Sequence, residues 1–428
     1  MKKIHSLFSL LLLLSLHGNA QLPTTILKET SPAQAGFSPV ALQHIDSLLQ
    51  QYVDKNFIGG ATALIAKDGK AVYYKAAGYH DADKKQLMQR NDIFRIASQT
   101  KAITSVAALM LYEEGKFLLD DPISKFIPEF ANPLVLDSFV VADSSFTTKP
   151  AKSEITIRDL LMHTSGINYG QIGSKTFTAI YGKNGITSGI GVGKLLLADE
   201  IKKLAKLPLT HNPGEKFTYG LNSDVLGYLI EVVSGTTLDK FFKARIFDPL
   251  GMKDTYFFLP KAKQSRLVGL FGENDAKLVI KKGATFPLNG DWITDYPNTG
   301  GTYFSGGGGL SSTAYDYSLF MQMMLNKGTY NGHRLLSPST VEMMTINQTA
   351  QFGLPDANFG LGFGLTTQKE KAKLGISPGS YQWGGMFSSS YWIDPEKHII
   401  AQLFINQLPM SHGEIHDKFK ALVYAALK

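Results

Sequence analysis

Ser98 and Lys101 stand three residues apart where an apolar helix is predicted to begin, in the stretch RIASQTKAIT (residues 95–104). Side chains three positions apart leave a helix from the same face, so the lysine amine can reach the serine hydroxyl. Burial and the helix dipole both disfavour a charged lysine at a helix N-terminus, which predicts a lowered pKa for Lys101. The neutral amine could then take the proton of Ser98 and make it a nucleophile. A capping serine beside a solvated lysine explains the same spacing equally well.

Two further segments offer groups that such a nucleophile needs. Tyr219 lies in PGEKFTYGLNSDVLG (213–227), just ahead of a predicted helix, and a tyrosine near a lysine can act as an acid or base. The segment QWGGMF (382–387) is typical of a strand whose paired glycines allow a close backbone approach to a ligand. A backbone N–H there, together with that of Ser98, could form an oxyanion hole. Aromatic packing for the tyrosine and a β-bulge for the glycines remain the simpler alternatives.

Other catalytic and binding motifs are missing from the sequence. It has no Gly-x-Ser-x-Gly elbow and no His-Glu-x-x-His, and its ten histidines do not cluster at ligand spacings. The segment GIGVGKL (189–195) has the wrong glycine spacing for a phosphate loop, and a leucine follows its lysine. The run SGGGGL (305–310) is interpreted as a flexible or closely packed turn before a helix.

Composition narrows the class of protein further. The chain has 428 residues and no cysteine, which excludes disulfides, thiolate catalysis and a lipid-modified cysteine. The formal charge of +7 is spread along the chain, so we expect no nucleic-acid partner. Residues 1–20 are typical of a signal peptide: two lysines, the apolar run LFSLLLLLSL and small residues before Gln21. That run is too short for a stable membrane anchor, so the sequence predicts an exported, soluble protein, periplasmic or secreted.

The order of predicted elements indicates an α+β fold. Strands are predicted around the turn Asp68-Gly69 and around Asp394-Pro395, and helices are predicted at 38–55, 100–115, 222–235, 314–328 and near the C-terminus. We therefore expect a mainly antiparallel sheet built from both chain ends and flanked by helices. The predicted single domain spans 21–428, with sheet regions at about 21–97 and 301–428 and a mostly helical region at about 98–300. Loops near 131–152 and 167–200 are expected to shape the pocket.

Several stretches in this order resemble the serine β-lactamase and penicillin-binding-protein superfamily. The closest resemblance is to the class C β-lactamase-like branch, which includes D-alanyl-D-alanine carboxypeptidases and family VIII carboxylesterases. It spans nearly all of the chain after the predicted signal and implies a β-lactamase/DD-peptidase-like fold. The stretches are FRIASQTKAITSVAALMLYEEGKFLLDDPISKFIPEF, EITIRDLLMHTSGI, PGEKFTYGLNSDVLGYLIEVVSG, SGGGGLSSTAYDYSLFMQMML and WGGMFSSSYWIDPEKHIIAQLF.

The resemblance implies a role for each candidate residue. Ser98 would be the acylated nucleophile, Lys101 its partner, and Tyr219 the general base and acid. The amide of Met386 would join that of Ser98 in the oxyanion hole. The reaction would be a two-step acyl transfer to water through an acyl-enzyme, with no metal and no organic cofactor.

The resemblance also implies positions that contact substrate or support the site. Trp383, Gly384 and Gly385 fall where the third motif of the family lies. The segment His163 to Gly166 matches a family signature that we expect to be structural.

Two departures from the family pattern bear on the substrate. The second motif usually runs Tyr-x-Asn, but Leu221 takes the asparagine position and Asn222 follows it; Asn222 either contacts substrate instead or caps the next helix. The third motif usually begins with Lys or His, and here it begins with Trp383. A flat, apolar side chain suits an uncharged group better than a carboxylate, so the sequence favours an esterase acting on a small acyl substrate. The alternatives are a D-alanyl-D-alanine carboxypeptidase or class C-type β-lactamase, and an inactive penicillin-binding or sensor-like protein.

Overall fold

The fold is described by a computed structural model over residues 27–81, 83, 86–283, 285–287, 291–352 and 358–428. The predicted signal peptide at 1–20 lies outside these residues. Within them, no helix combines the length and the apolar character needed to cross a membrane.

A single large sheet organises the molecule, and the predicted α+β class is confirmed. Its strands come from both ends of the chain: β1 (Lys28–Glu29), β2 (Gly60–Lys67), β3 (Lys70–Asp81), β4 (Gln86–Leu87), β5 (Gly364–Leu365), β6 (Tyr381–Gly385), β7 (Ser389–Asp394) and β8 (Ile399–Phe404). Their spatial order is β1-β3-β2-β8-β7-β6-β5, with β4 paired to β3. All described pairs are antiparallel except β1 with β3.

Short local sequences set the two predicted hairpins. Asp68 and Gly69 both have positive φ, 50° and 73°, which matches the two-residue turn between β2 and β3. The hairpin of β7 and β8 begins its turn after Asp394, as its Asp-Pro sequence predicts. The two hairpins then pair through β2 and β8, with Leu64 opposite Gln402. This pairing joins the beginning and the end of the chain in one sheet.

Helices cover both faces of the sheet, but the region at about 98–300 is not mostly helical as predicted, because long loops and short strands separate its helices. The predicted helices at 38–55, 100–115, 222–235 and 314–328 each form within a few residues of the expected bounds. The α-helices are α1 (Pro39–Asp54), α2 (Thr100–Glu113), α3 (Ile157–Met162), α4 (Lys175–Lys183), α5 (Leu197–Leu204), α6 (Asn222–Ser234), α7 (Leu238–Phe242), α8 (Asp248–Leu250), α9 (Ala314–Leu325), α10 (Pro338–Thr345), α11 (Gln368–Leu374) and α12 (Glu414–Ala425). A π-helical turn, Lys243–Phe247, joins α7 to α8, and 3₁₀ turns occupy Pro32–Ala35, Ala97–Gln99, Ile123–Lys125, Pro128–Phe130, Lys261–Arg266, Tyr296–Asn298 and Ala350–Phe352.

The middle region also contains strands that the sequence pattern did not predict. The segment expected to be a loop near 131–152 forms an antiparallel hairpin that is mostly exposed, and of its strand residues only Val135 is buried. Because one buried position gives no alternating pattern, the hairpin has no strand signal in the sequence. The short strands outside the main sheet are Phe94–Arg95, Leu134–Val140, Ser145–Pro150, Phe271–Glu273, Val279–Lys281, Thr285–Pro287, Asp291–Ile293, Ser311–Ser312, Thr329–Tyr330 and His333–Arg334.

The sheet separates two hydrophobic cores. Successive residues of a strand face opposite sides, so Leu64 enters the larger core and Ile65 enters the smaller one. The smaller core lies against α1 and α12 and includes Leu49 and Phe419. The larger core contains α2, α6 and α9, and it includes Val106. Helix α2 is buried along almost its whole length, so the residues at its N-terminus are fixed on all sides.

Helix α9 begins with a buried carboxylate. The Thr313 side chain caps the helix by accepting the Asp316 N–H at 3.0 Å. Asp316 Oδ2 in turn accepts the Asp254 N–H at 2.6 Å and the Thr255 hydroxyl at 3.0 Å. Burial raises the pKa of Asp316 to about 7, against the opposing effect of these two hydrogen bonds.

This shift predicts that stability falls as the pH rises. The folded-state pKa of about 7 lies above the usual 3.8, so the folded state holds a proton that the unfolded state has released. The contribution of Asp316 to the unfolding free energy is fully present below pH 3.8 and is lost as the pH rises through 7. This contribution amounts to roughly 4 kcal/mol at most. We expect the unfolding free energy in urea to fall between pH 5 and 8 for the wild type relative to Asp316→Asn. A difference between the two proteins that stays constant over that range would contradict this prediction.

Candidate active site

Ser98 lies on a tight turn between the strand Phe94–Arg95 and helix α2. The 3₁₀ turn Ala97–Gln99 leads directly into the helix, and Ala97 has a positive φ of 42°, which is strained for a residue with a Cβ. Both ends of the turn are held: the Ile96 N–H donates to the Leu310 carbonyl at 3.1 Å, and the Tyr317 hydroxyl donates to the Gln99 carbonyl at 3.0 Å. Ser98 is half-buried whereas its neighbours are buried, so its hydroxyl is presented at the surface of the pocket.

Lys101 is 2% exposed and uses all three N–H groups of its ammonium. Its Nζ donates to Ser98 Oγ at 3.1 Å, to the Tyr169 hydroxyl at 2.9 Å and to the Gly307 carbonyl at 2.5 Å. This geometry matches the spacing argument, because Lys101 lies one helical turn after Ser98 and reaches its oxygen. It also fits a charged lysine surrounded by acceptors.

The pKa of Lys101 corrects the expectation from the sequence. Burial by itself lowers this pKa, but the phenol oxygens of Tyr169 and Tyr219 oppose it, and the net direction is upward from the usual 10.5. The expectation of a lowered pKa and a neutral amine considered only burial and the helix dipole, and the opposing tyrosines come from distant parts of the chain. A raised pKa favours a charged Lys101 at neutral pH, and it therefore favours another group as the acceptor of the Ser98 proton.

Tyr219 reaches the same serine oxygen from a different segment. Its hydroxyl donates to Ser98 Oγ at 2.8 Å, and Lys101 Nζ lies 4.8 Å from the centroid of its ring. The loop carrying Tyr219 is fixed by the Thr218 N–H, which donates to the His163 carbonyl at 2.7 Å. At the next position, a Cβ on Gly220 would collide with the Ile167 carbonyl, so glycine is required for this close approach.

Tyr169 is a member of this cluster that the sequence analysis missed. It is 8% exposed, its hydroxyl accepts from Lys101, and its ring lies 5.4 Å from that of Tyr219. Burial raises the pKa of Tyr169, with Lys101 opposing that shift. A signal existed in its position, since Tyr169 follows the His163 to Gly166 segment by only three residues.

The glycine run at 306–309 holds the other side of Lys101. The Gly307 carbonyl accepts from Lys101, and the Gly306 carbonyl accepts from the Thr104 hydroxyl at 2.7 Å. A Cβ on Gly306 would overlap the Ser223 carbonyl, and a Cβ on Gly307 would overlap the Asp224 carboxylate. Of the two interpretations of this run, the closely packed turn is the one that the structure has.

Asp224 is a buried carboxylate behind this turn. Its Oδ1 accepts the Ser305 hydroxyl at 2.6 Å. Burial raises the pKa of Asp224, and the Ser305 hydrogen bond and the charge of Lys101 oppose that shift.

The end of strand β6 runs beside the Ser98 turn. A Cβ on Gly385 would collide with the carbonyl of Ile96, so only glycine allows the strand to approach this closely. Met386 follows the strand and packs against a small cluster that includes Ala97 and Phe387. The amides of Ser98 and Met386 therefore lie on adjacent segments, and their role as an oxyanion hole stays a prediction.

Trp383 forms part of an aromatic wall next to Tyr219. Its Nε1–H donates to the Tyr219 hydroxyl at 3.4 Å, and the two ring centroids are 5.6 Å apart. Phe359 meets Trp383 edge-on at 5.2 Å and lies 5.3 Å from Phe217. Position 383 thus presents an aromatic ring, as the sequence predicts, where the third motif of related proteins carries a cation or polar group.

Asn222 lies behind the pocket, and neither sequence-based interpretation matches its position. It is fully buried, its Oδ1 accepts the Ser165 hydroxyl at 2.5 Å, and its Nδ2–H faces His163 Nδ1 at 3.0 Å. Burial lowers the pKa of His163 well below 6.5, which leaves the ring neutral and its Nδ1 able to accept. Asn222 is the first residue of α6 and does not cap it with its side chain. It therefore supports the Tyr219 loop through the His163 to Gly166 segment.

The assembled groups are suited to acyl chemistry. A half-exposed hydroxyl accepts hydrogen bonds from a buried ammonium and from a phenol, which gives one nucleophile, one fixed positive charge and one group able to carry a proton. The segment 167–200, expected to be a loop that shapes the pocket, instead contains helix α4 and the start of α5. It contributes Tyr169 to the site, and also Ile190, which packs in a cluster with Ala97.

Comparison with known proteins identifies the family. A profile of the Beta-lactamase family matches residues 45–425. An uncharacterized protein of Mycobacterium tuberculosis is 32% identical over 374 residues, which cover 84% of this chain and 89% of that protein. The chain therefore belongs to the β-lactamase family, and the resemblance drawn from its motifs is confirmed.

An esterase and a hydrolase with acyltransferase activity are among the similar proteins. Esterase EstB of Burkholderia gladioli is 29% identical over 362 residues, covering 82% of this chain and 86% of EstB. The solved structure of EstCE1, described as a hydrolase with promiscuous acyltransferase activity, superposes with a TM-score of 0.76 at 27% identity, over 90% of this chain and 98% of EstCE1. Fold and family together indicate a serine hydrolase.

Proposed function

We propose that this chain is an exported carboxylesterase that hydrolyses small esters with no charge next to the reacting bond, through an acyl-enzyme on Ser98. The observation that carries the proposal is the pair of hydrogen bonds to Ser98 Oγ, from Tyr219 and from Lys101. They support Ser98 as the activated serine and Tyr219 as the group that carries its proton.

In the acylation step, Ser98 Oγ attacks the carbonyl carbon of the ester. In the structure the Tyr219 hydroxyl donates to Ser98 Oγ, so Tyr219 becomes a base only after releasing that proton to solvent. Its phenolate, stabilised by the Lys101 cation, then takes the proton of the serine. The negative oxygen that forms is stabilised by the amides of Ser98 and Met386, near the N-terminus of α2. The ester C–O bond then breaks, and Tyr219 gives its proton to the departing alkoxide, which leaves as the alcohol.

Deacylation repeats these steps with water as the nucleophile. Tyr219 accepts a proton from water as the water oxygen attacks the acyl carbon, and the tetrahedral intermediate then expels Ser98 Oγ. The proton returns to Ser98, and the carboxylic acid product leaves. Lys101 stays protonated throughout, in keeping with its raised pKa and its three acceptors.

Trp383 supports ester substrates over peptides or β-lactams that carry a carboxylate next to the reacting bond. An aromatic ring in contact with Tyr219 offers dispersion and no charge to a group at that position. Esterase EstB is similar to this chain in sequence, and the hydrolase EstCE1 is similar to it in fold. The signal-like residues 1–20 support export to the periplasm or out of the cell.

A side-by-side assay tests the proposal. The purified protein lacking residues 1–20 is offered 4-nitrophenyl acetate, a chromogenic cephalosporin and a peptide ending in D-alanyl-D-alanine, and Ser98 is examined for added mass. We expect turnover of the ester together with an acetyl adduct on Ser98. Cephalosporin or peptide turnover without ester turnover would move the protein to the β-lactamase or peptidase alternative. No turnover and no adduct would favour the inactive binding protein.

A further inference from the structure

A cavity of about 610 Å³ opens beside Trp383, between the segment following residue 358 and helix α12. Gly384 and Trp383 of strand β6 form the side nearest to Ser98, and Lys420 of α12 lies among its more distant lining residues. The cavity is therefore continuous with the strand that the mechanism uses, and its far end is built from groups that the mechanism does not use.

One wall of the cavity is aromatic. Phe217, Phe359 and Trp383 line it, with ring centroids 5.2 and 5.3 Å apart along the row. Such a surface accommodates a flat or apolar group and supplies no charge. Tyr219 touches the same wall through Trp383.

The far end of the cavity is polar and ordered. Glu370 caps helix α11 through Thr367, and its other oxygen accepts the Gln382 Nε2–H at 2.9 Å. This contact turns the Gln382 carbonyl oxygen toward Lys420, whose Nζ donates to it at 2.7 Å. A single chain of hydrogen bonds therefore fixes the Lys420 ammonium at the cavity.

Lys420 has no close carboxylate partner in the described part of the chain. The neighbouring lysines differ, since Lys373 pairs with Asp417 at 2.7 Å and Lys418 lies 3.8 Å from Glu414. Burial lowers the pKa of Lys420, against the opposing charges of Asp417 and Glu370, while Lys373 adds to the lowering. Its ammonium donates to one neutral oxygen, which leaves two N–H groups for an anionic ligand.

The direction of proton transfer decides which part of a substrate enters the cavity. In the proposed acylation, Tyr219 gives its proton to the departing oxygen, so that oxygen must lie on the Tyr219 side of Ser98. Trp383 adjoins Tyr219 on that side and opens onto the cavity. The leaving group is therefore directed along strand β6 toward Gln382 and Lys420.

We propose that this cavity binds the leaving group of the substrate and selects an alcohol or phenol with an apolar body and a terminal carboxylate held by Lys420. The inference rests on the proposed esterase function and names its substrate class. The carboxylate lies far from the reacting bond, because Met386 and Gln382 are separated by roughly 13 Å of extended strand. An uncharged group at Trp383 and an anionic group beyond it are thus compatible.

Two esters that differ only at the end of the leaving group that would reach Lys420 test the proposal. They are 3-(4-acetoxyphenyl)propanoate and 3-(4-acetoxyphenyl)propanamide, which share the acetyl group and have phenols of nearly equal leaving ability. We expect kcat/KM to favour the carboxylate by about tenfold or more, as a single charged hydrogen bond provides. In Lys420→Met the ratio should fall to about one, and Lys420→Arg should restore part of it. Lys418→Met, on the same helix, should keep the wild-type ratio.

If kcat/KM is nearly equal for the two esters in the wild type, and turnover depends on Ser98, the carboxylate site is overturned and the esterase function stays intact. Equal losses on both esters in Lys420→Met would also overturn it, because a merely structural lysine gives that result. If neither ester is turned over, the proposed esterase function is contradicted. Binding measurements then test the carboxylate site of the cavity separately. Calorimetry on Ser98→Ala should then show 3-(4-hydroxyphenyl)propanoate binding about tenfold more tightly than its amide, with the difference lost in Ser98→Ala/Lys420→Met. Equal binding would overturn the site.

Discussion

Replacing Ser98 by alanine is expected to lower kcat/KM for 4-nitrophenyl acetate by about 10⁴-fold or more, to the level of the background reaction. The reason is that the Lys101 cation, at 3.1 Å, and the proton-carrying Tyr219, at 2.8 Å, converge on Ser98 Oγ. Without that oxygen they have no nucleophile to activate, and no acyl-enzyme can form. The measurement is initial-rate kinetics together with intact-protein mass spectrometry.

The Ser98→Ala protein should remain folded, because the other hydrogen bonds of Lys101, to Tyr169 and Gly307, do not involve the serine. Ser47→Ala serves as the control, since Ser47 is exposed on α1 and bonds only within that helix. Its activity should match the wild type. Ester turnover by Ser98→Ala above about one per cent of the wild-type rate would mean that a different residue carries the acyl group.

Tyr219→Phe is expected to lower kcat by about 10³-fold, within the usual range for loss of a general acid–base group. Lys101 remains positively charged according to its raised pKa, so it cannot take over as the proton acceptor. The substitution removes one oxygen and keeps the ring, which packs against His163, Tyr169 and Trp383 at 4.9 to 5.6 Å. KM should therefore change far less than kcat.

Tyr169→Phe is the matched control for this prediction. Both tyrosines lie beside Lys101, but of the two, within the described residues, only Tyr219 is hydrogen-bonded to Ser98 Oγ. We expect Tyr169→Phe to lower kcat by about tenfold or less, through a less well-held Lys101. Equal losses in the two variants would contradict the assignment of Tyr219 as the group that carries the proton. An acetyl adduct on Ser98 that accumulates in Tyr219→Phe would locate the defect in deacylation.

Local patterns were sufficient for much of the fold. Helix α2 and its start at the Ser98–Lys101 segment follow from an uninterrupted apolar pattern, and the hairpin of β2 and β3 follows from Asp68-Gly69. The exposed hairpin between Leu134 and Pro150 was not predicted, because one buried residue leaves no alternating pattern. The cavity near Trp383 was also not predicted, since its lining residues come from segments up to about 200 residues apart in the sequence, from Phe217 to Lys420.

The sequence by itself determined which residues could carry the chemistry: the serine and lysine one turn apart, a tyrosine before a helix and a glycine pair in a strand. Spacing and residue type are sufficient for that, because each motif is local. The tertiary structure decided the protonation of Lys101, the place of Asn222 behind the pocket and the participation of Tyr169. A pKa or a hydrogen-bond partner depends on groups within a few ångströms, and here those groups come from segments up to about 200 residues away, such as Gly307 beside Lys101.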